Sequence, residues 1–275
     1  MNTELLSAEA LLLARNHLYT AFNKAMGGDP TPELVQSLVS QETIDALEEF
    51  AETSAKVAEL HDLLISIRER MVDEEGMHQL MDQLQSEFTR LYVGPEKLPA
   101  QPFETPYAMR EFTLFSRNTL AVRAAFHAQG YAAVRELHVP DDHIGTMCDF
   151  MARMGSRALV ALREGDVREF RTLVVDQASF AATHMANWLP EMAAGQVKID
   201  NAVLYPQMTA ALDELVRADV PLLVELSTWA AERAGELAAK PQVERPESFA
   251  RMDTATENLR AIRLFGLQDC ELTTI

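Results

Sequence analysis

Along almost the whole chain, apolar residues recur at helical rather than strand spacing. Leu5, Leu12, Ala14, Leu18, Phe22 and Met26 fall on one stripe, which Gly27-Gly28 ends. Thr31-Pro32-Glu33 predicts a second helix start, with threonine as N-cap and proline in the first turn. The patterns over 44–70, 77–92 and 104–129 predict three further helices, the last stopped at Gly130. After a helix over 144–163, Gly165-Asp166 turns the chain into another over 167–189, and Pro190 and Gly195 then break it. Residues 201–237 form one long apolar pattern, bent or broken near Pro221. No run alternates with period two, and no repeat of fixed length is present. The fold class is all-α, a single globular bundle of about nine to eleven helices. The polar, proline-bearing stretch after Lys240 reads as a linker, which divides the chain into a helical domain over 1–239 and a tail over 240–275. Within that tail one short helix is expected over 248–264, ended by Phe265-Gly266-Leu267. Whether the tail docks or stays free is open at this level.

Composition narrows the function. The chain has 275 residues, 42 aspartates and glutamates against 24 lysines and arginines, and a net charge of −18. Without a local basic patch, that charge disfavours nucleic acid and suits a basic partner. The two cysteines, Cys148 and Cys270, are far apart and make neither a disulfide framework nor a zinc spacing. Cys148 reads as a buried, inert thiol, because a five-residue offset does not put it on the face of His143. The first residues place an acid before the apolar stripe and lack a basic leader, and no apolar run is long enough for a bilayer. A soluble, cytoplasmic protein is expected.

Several chemistries find no support. A ferritin-like di-iron site needs two Glu-x-x-His pairs, and only Glu75–His78 has that spacing. Neither a GxxxxGK[ST] phosphate loop nor a GxSxG elbow occurs. Two segments hold attention instead. In EFTRLYVGPEKLPAQPFETPY, residues 87–107, a helix carrying Phe88, Leu91 and Tyr92 meets a Gly94-Pro95 stop and a Pro-rich loop bearing Phe103 and Tyr107. Spacing i, i+3, i+4 fits plain core packing, but the loop aromatics suggest a groove for a peptide. In VPDDH, residues 139–143, Asp141 or Asp142 is a candidate N-cap for the helix that follows. The plain structural reading leaves His143 exposed in the first turn; the functional one pairs a carboxylate with a titratable imidazole to meet a cationic group.

These segments resemble the signatures of the TorD/DmsD/NarJ family of cytoplasmic molybdoenzyme maturation chaperones. The first is an aromatic, two residues, Leu-aromatic-x-Gly-Pro, a Pro-rich spacer and Pro-aromatic-Glu-Ser-x-Tyr. The second, Pro-x-Asp-His, is matched by Pro140, Asp142 and His143, and the third by Gln177, Phe180, His184, Trp188 and Pro190. All three stand in family order, across about residues 5–235. Thr105 stands where the family often has serine, and Met147 where many members carry glutamate.

The resemblance implies an all-helical, non-enzymatic chaperone. Its partner would be a molybdoenzyme catalytic subunit precursor with its twin-arginine signal peptide, held until cofactor insertion. By position, Phe88, Leu91, Tyr92, Pro102 and Phe103 would line an apolar groove, and Asp142 and His143 would meet the polar or basic part of the signal. Glu104, Tyr107 and Pro140 complete the implied peptide-binding set, while His184 and Trp188 would brace helix packing. No resident cofactor or metal is implied, although transient contact with molybdopterin or a guanine nucleotide stays open. A monomer or a domain-swapped dimer is expected. Two other readings stand beside this one: a helical small-molecule-binding protein or enzyme using Asp142 and His143 as acid and base, and a structural scaffold that buries Phe88, Tyr92 and Phe103.

Overall fold

The computed structural model describes residues 2–71, 73–94, 97–110, 116–136, 139–241, 243–266 and 270–275. Thirteen α-helices and one two-stranded ladder stand among them. The fold is all-α as expected, and the helices beyond eleven reflect short pieces such as Thr105–Met109 and Ala234–Ala238. At its centre lies α1, Asn2–Gly27. From Leu12 to Gly28 every residue of this region is buried, so α1 is surrounded rather than packed on one stripe. Its polar residues give it an amphipathic look in sequence, but they meet partners on the helices that enclose it. Those helices are α2 (Pro32–Leu38), α3 (Gln41–Ala51), α8 (Ile144–Glu164), α11 (Tyr205–Glu232) and α13 (Glu247–Ala261).

Caps explain where the elements begin. Thr31 caps α2 by accepting from the Leu34 N–H, with Pro32 in the first turn, as the sequence predicts. The pattern over 44–70 divides into α3 and α4 (Ala55–Arg70), because the Ser54 hydroxyl accepts from the Val57 N–H and restarts the helix. Asp73 caps α5, Glu74–Phe88, which runs into a π-helical turn over Thr89–Val93. The expected helix over 104–129 is two, α6 (Thr105–Met109) and α7 (Arg117–Ala128); α6 ends at Arg110, whose φ of 57° leaves the helical region.

Pro190 and Gly195 do not break the chain as predicted. After α9 (Val167–His184), Pro190 falls at the second position of α10, Leu189–Gln196, where its missing N–H leaves no helical bond unmade. Pro221 lies inside α11 without ending it. An interior proline costs about 3 kcal/mol, and packing of α11 against α4, α9 and α10 offsets it. The short α12, Ala234–Ala238, follows.

The tail is docked. Its helix α13 packs on α1, and β2 (Leu272–Thr274) pairs antiparallel with β1 (Tyr131–Ala133), Ala132 facing Thr273. Leu267 of the predicted stop and Pro95 of the earlier one lie outside the described residues, and α13 itself ends at Ala261. His17 links α1 to two neighbours through Thr43 on α3, at 2.8 Å, and Thr256 on α13, at 3.0 Å. Burial pushes its imidazole down to about 4.

This ring links stability to pH. Between pH 6.5 and about 4 the unfolded chain protonates His17 and the folded chain does not, so stability falls as pH falls. The full effect is roughly 3 kcal/mol, since each tenfold loss of proton affinity corresponds to about 1.4 kcal/mol. Buried carboxyls such as Glu87 and Asp213, raised by desolvation, act in the opposite direction. Comparing urea midpoints of the chain and its His17→Gln variant from pH 7 to 4 isolates the histidine. The variant is expected to lose less stability over that range, and an unchanged slope would refute the assignment.

Candidate functional site

The Pro-rich loop and the VPDDH segment run antiparallel and exchange main-chain bonds. Glu104 N donates to Asp142 O at 3.1 Å and Ile144 N to Pro102 O at 2.9 Å, so Phe103 and His143 form a bridge pair. Asp142 is fully buried, and both its oxygens are taken: Oδ2 accepts from Thr105 N at 2.8 Å and Oδ1 from the Thr119 hydroxyl at 3.2 Å. It thereby holds the starts of α6 and α7 against one another. The Thr105 hydroxyl joins this cluster 2.8 Å from Ser116 Oγ, so the departure from serine keeps the polar contact.

The predicted cap needs correction. The N-cap of α8 is His143, whose Nδ1 accepts from the Gly145 N–H at 3.0 Å, and neither aspartate takes that role. Because Nδ1 accepts, the neutral ring carries its proton on Nε2. His143 is fully buried rather than exposed, with Phe103 edge-on at 5.0 Å between centroids. Asp141 instead receives Arg123 of α7 on Oδ2, at 2.6 and 3.0 Å. Burial raises the Asp141 carboxyl, and Arg123 pulls the other way.

The third signature closes the same frame. Glu104 lies 3.0 Å from His184 Nδ1, and the Trp188 indole N–H donates to the His184 carbonyl at 2.6 Å. Tyr107 stacks on Trp188 at 5.3 Å, and its hydroxyl donates to Gln101 O, with burial lifting the phenol to about 12. His184 and Trp188 thus contribute to packing, as the resemblance implies. Pro102 is buried, while Phe103, Tyr107 and Pro140 are half-buried and form a rim.

Phe88, Leu91 and Tyr92 are each at most 1% exposed and belong to the core. Phe88 and Tyr92 stack at 5.1 Å, and both meet Tyr205 of α11. The expected open groove over these three side chains is therefore absent from this conformation. The nearby Glu87 carboxylate accepts from Val203 N and Leu204 N, at 2.9 and 3.1 Å, so an anion from α5 sits at the start of α11. Desolvation raises this carboxyl, and the N–H bonds partly offset it.

Sequence reasoning missed Glu87, Arg123, Tyr205 and Cys270 as partners of the signatures. Each meets its partner through long-range packing, which local periodicity does not encode. Cys148 is buried as expected, whereas the cysteine that reaches His143 is Cys270, with Sγ 3.1 Å from Nδ1. Among the described residues, no helix is long and apolar enough to cross a membrane, and no group of three or more His, Cys, Asp or Glu could hold a metal ion.

Comparison with known proteins agrees with this convergence. Residues 41–194 match the family described as nitrate reductase delta subunit, a span that contains all three signatures. Over 209 residues the chain is 22% identical to the chaperone protein TorD of Aliivibrio fischeri, covering 76% of this chain and 94% of that protein. Over 160 residues it is 28% identical to the Tat proofreading chaperone DmsD of Salmonella typhi, covering 58% and 67%. With more than half of its length matched and its three signatures gathered into one bonded frame, the chain belongs to the nitrate reductase delta subunit family, the TorD/DmsD/NarJ group.

Proposed function

We propose that this protein is a maturation chaperone for a molybdopterin oxidoreductase. It binds the twin-arginine signal segment of the precursor in the cytoplasm and holds the precursor until its cofactor is inserted. The observation that carries the reading is the frame itself, where residues from three separated signatures meet around Asp142, His143 and Glu104. Relatives named as chaperones of the TorD and DmsD types support the class. The −18 charge favours encounter with a basic signal.

Within this reading the residues divide by burial. Phe103, Tyr107 and Pro140 present apolar surface at the rim and meet the hydrophobic run of the signal. Asp142, His143 and Glu104 hold the rim in place, and Phe88, Leu91 and Tyr92 support the helix beneath it. The acid–base reading of Asp142 and His143 is less well supported: the carboxylate is consumed by Thr105 and Thr119, and His143 Nδ1 by Gly145.

Replacing Phe103 with serine is expected to weaken binding of a twin-arginine peptide about tenfold or more, since a large buried side chain contributes on the order of 1.5–3 kcal/mol. Helical content should stay native. Titration calorimetry with a synthetic signal peptide is the test, and equal affinity in the two proteins would remove Phe103 from the binding surface. A charged residue at Leu91, by contrast, is expected to impair folding, since that side chain is fully buried.

A further inference from the structure

The last residues of the chain lie across the head of α8, beside His143. Their main chain is held on both edges. Asn23 Nδ2 donates to Cys270 O at 2.7 Å and to Gly145 O at 3.0 Å, and Leu272 N donates to Asp149 Oδ2 at 2.7 Å. Val134 N donates to Glu271 O and Ile275 N to Gly130 O, extending the β1–β2 ladder at both ends. Lys24 of α1 pairs with Glu271. Gly27 and Gly145 make room for this crossing, because a Cβ on either would stand 3.0 or 3.1 Å from the Cys270 Cβ.

This is a groove that reads an extended backbone. Only Cys270 and Leu272, two residues apart and so on one face, bury their side chains, whereas Thr273, Thr274 and Ile275 point into solvent. A three-residue ladder with two buried side chains is a weak attachment, of the kind that opens locally without global unfolding. The polar groups it covers are the opposite. Asn23 and Lys24 are each 1% exposed, and losing the segment takes Cys270 O from Asn23 and the Glu271 carboxylate from Lys24, leaving each only its second acceptor, Gly145 O and Ile262 O.

We propose that Cys270–Ile275 is a releasable strap that occupies a groove for extended peptide at the head of α8, and that an incoming client segment takes its place. The strap meets His143 through Cys270, whose Sγ lies 3.1 Å from Nδ1. Its release exposes the imidazole together with the free edge of β1, the acceptor Asp149 and the donor Asn23. The second half of the proposal rests on the chaperone reading above; the first half stands on the contacts alone.

The two cysteines supply the test. Both thiols are at most 1% exposed, so a rigid molecule protects them equally. The intact chain is treated with iodoacetamide under native conditions, and each cysteine is followed by mass spectrometry. Cys270 is expected to label at least roughly a hundredfold faster than Cys148, because strap opening is local and Cys148 opens only with the core. Equal slow rates at both would overturn the strap. Leu272→Asp, which removes the anchor while leaving the bundle intact, should speed Cys270 further with no change at Cys148.

A twin-arginine signal peptide, its binding followed in parallel by calorimetry, should accelerate Cys270 labelling. Bound peptide without acceleration would overturn the exchange. If no signal peptide binds at all, the chaperone reading fails, and the comparison of the two thiols still decides the strap.

Discussion

Replacing Asp219 with alanine is expected to lower stability by about 3–5 kcal/mol, the largest effect expected of any single substitution named for this protein. Asp219 of α11 and Arg15 of α1 are both fully buried and joined by two bonds, at 2.6 and 2.9 Å, and the Tyr19 hydroxyl donates to the same carboxylate at 2.9 Å. Removing the acid leaves a guanidinium and a phenol inside the bundle with their acceptor gone. Truncating one partner of such a pair is far more damaging than replacing the whole cluster. The combined variant Arg15→Met, Tyr19→Phe, Asp219→Leu should therefore recover most of the loss. Urea denaturation of the three proteins checks both statements, and a loss below about 1 kcal/mol for Asp219→Ala would show that the cluster is not holding α1 to α11.

The second large effect is at Asp142. Its carboxylate accepts a backbone N–H and a hydroxyl in a fully buried position, and hydrogen bonds to a charged group contribute about 1.5–3 kcal/mol each. Asp142→Ala is expected to lower stability by about 2–4 kcal/mol and to loosen the starts of α6 and α7. Because Phe103 and Tyr107 stand on the segment it pins, affinity for a signal peptide should fall as well, although both carboxylate oxygens are taken by Thr105 and Thr119. This origin predicts a loss that is largely independent of salt, since the charge acts inside the protein. Peptide titrations at low and high ionic strength distinguish the two roles. A loss confined to low salt would return Asp142 to direct contact with the basic part of the signal.

Sequence and structure agree most closely where the signal is local. The Thr31 cap, the Thr31-Pro32 start and the Gly165-Asp166 turn act through bonds spanning three or four residues, so they are legible from composition and spacing. The helix breaks at Ser54 and Arg110 escape such reasoning because the apolar period continues across them. Pro221 misleads for the converse reason, since packing on both sides holds α11 together. Of the candidate site, the signatures identify which residues gather but not which of them face outward. Phe88 and Phe103 look alike in sequence, yet one is core and the other rim, a difference set by Tyr205 and His143 from distant segments. Likewise, Arg15, His17, Asn23 and Lys24 imply contact with water until their partners are known.

The enclosure of α1 has a consequence for how the protein is made. Its bonds reach Asp219, Thr256 and Cys270, sequence separations of 204, 239 and 247 residues. At the usual pace of translation, about 5–20 residues per second, α1 leaves the ribosome at least roughly ten seconds before α13 exists to cover it. For most of that interval the Asp219, Thr256 and Cys270 partners of Arg15, His17 and Asn23 are not yet made. A high share of distant contacts also slows closure once synthesis is complete. The polar residues of α1 thus mark the points at which a helix and a strand made long after it are recognised.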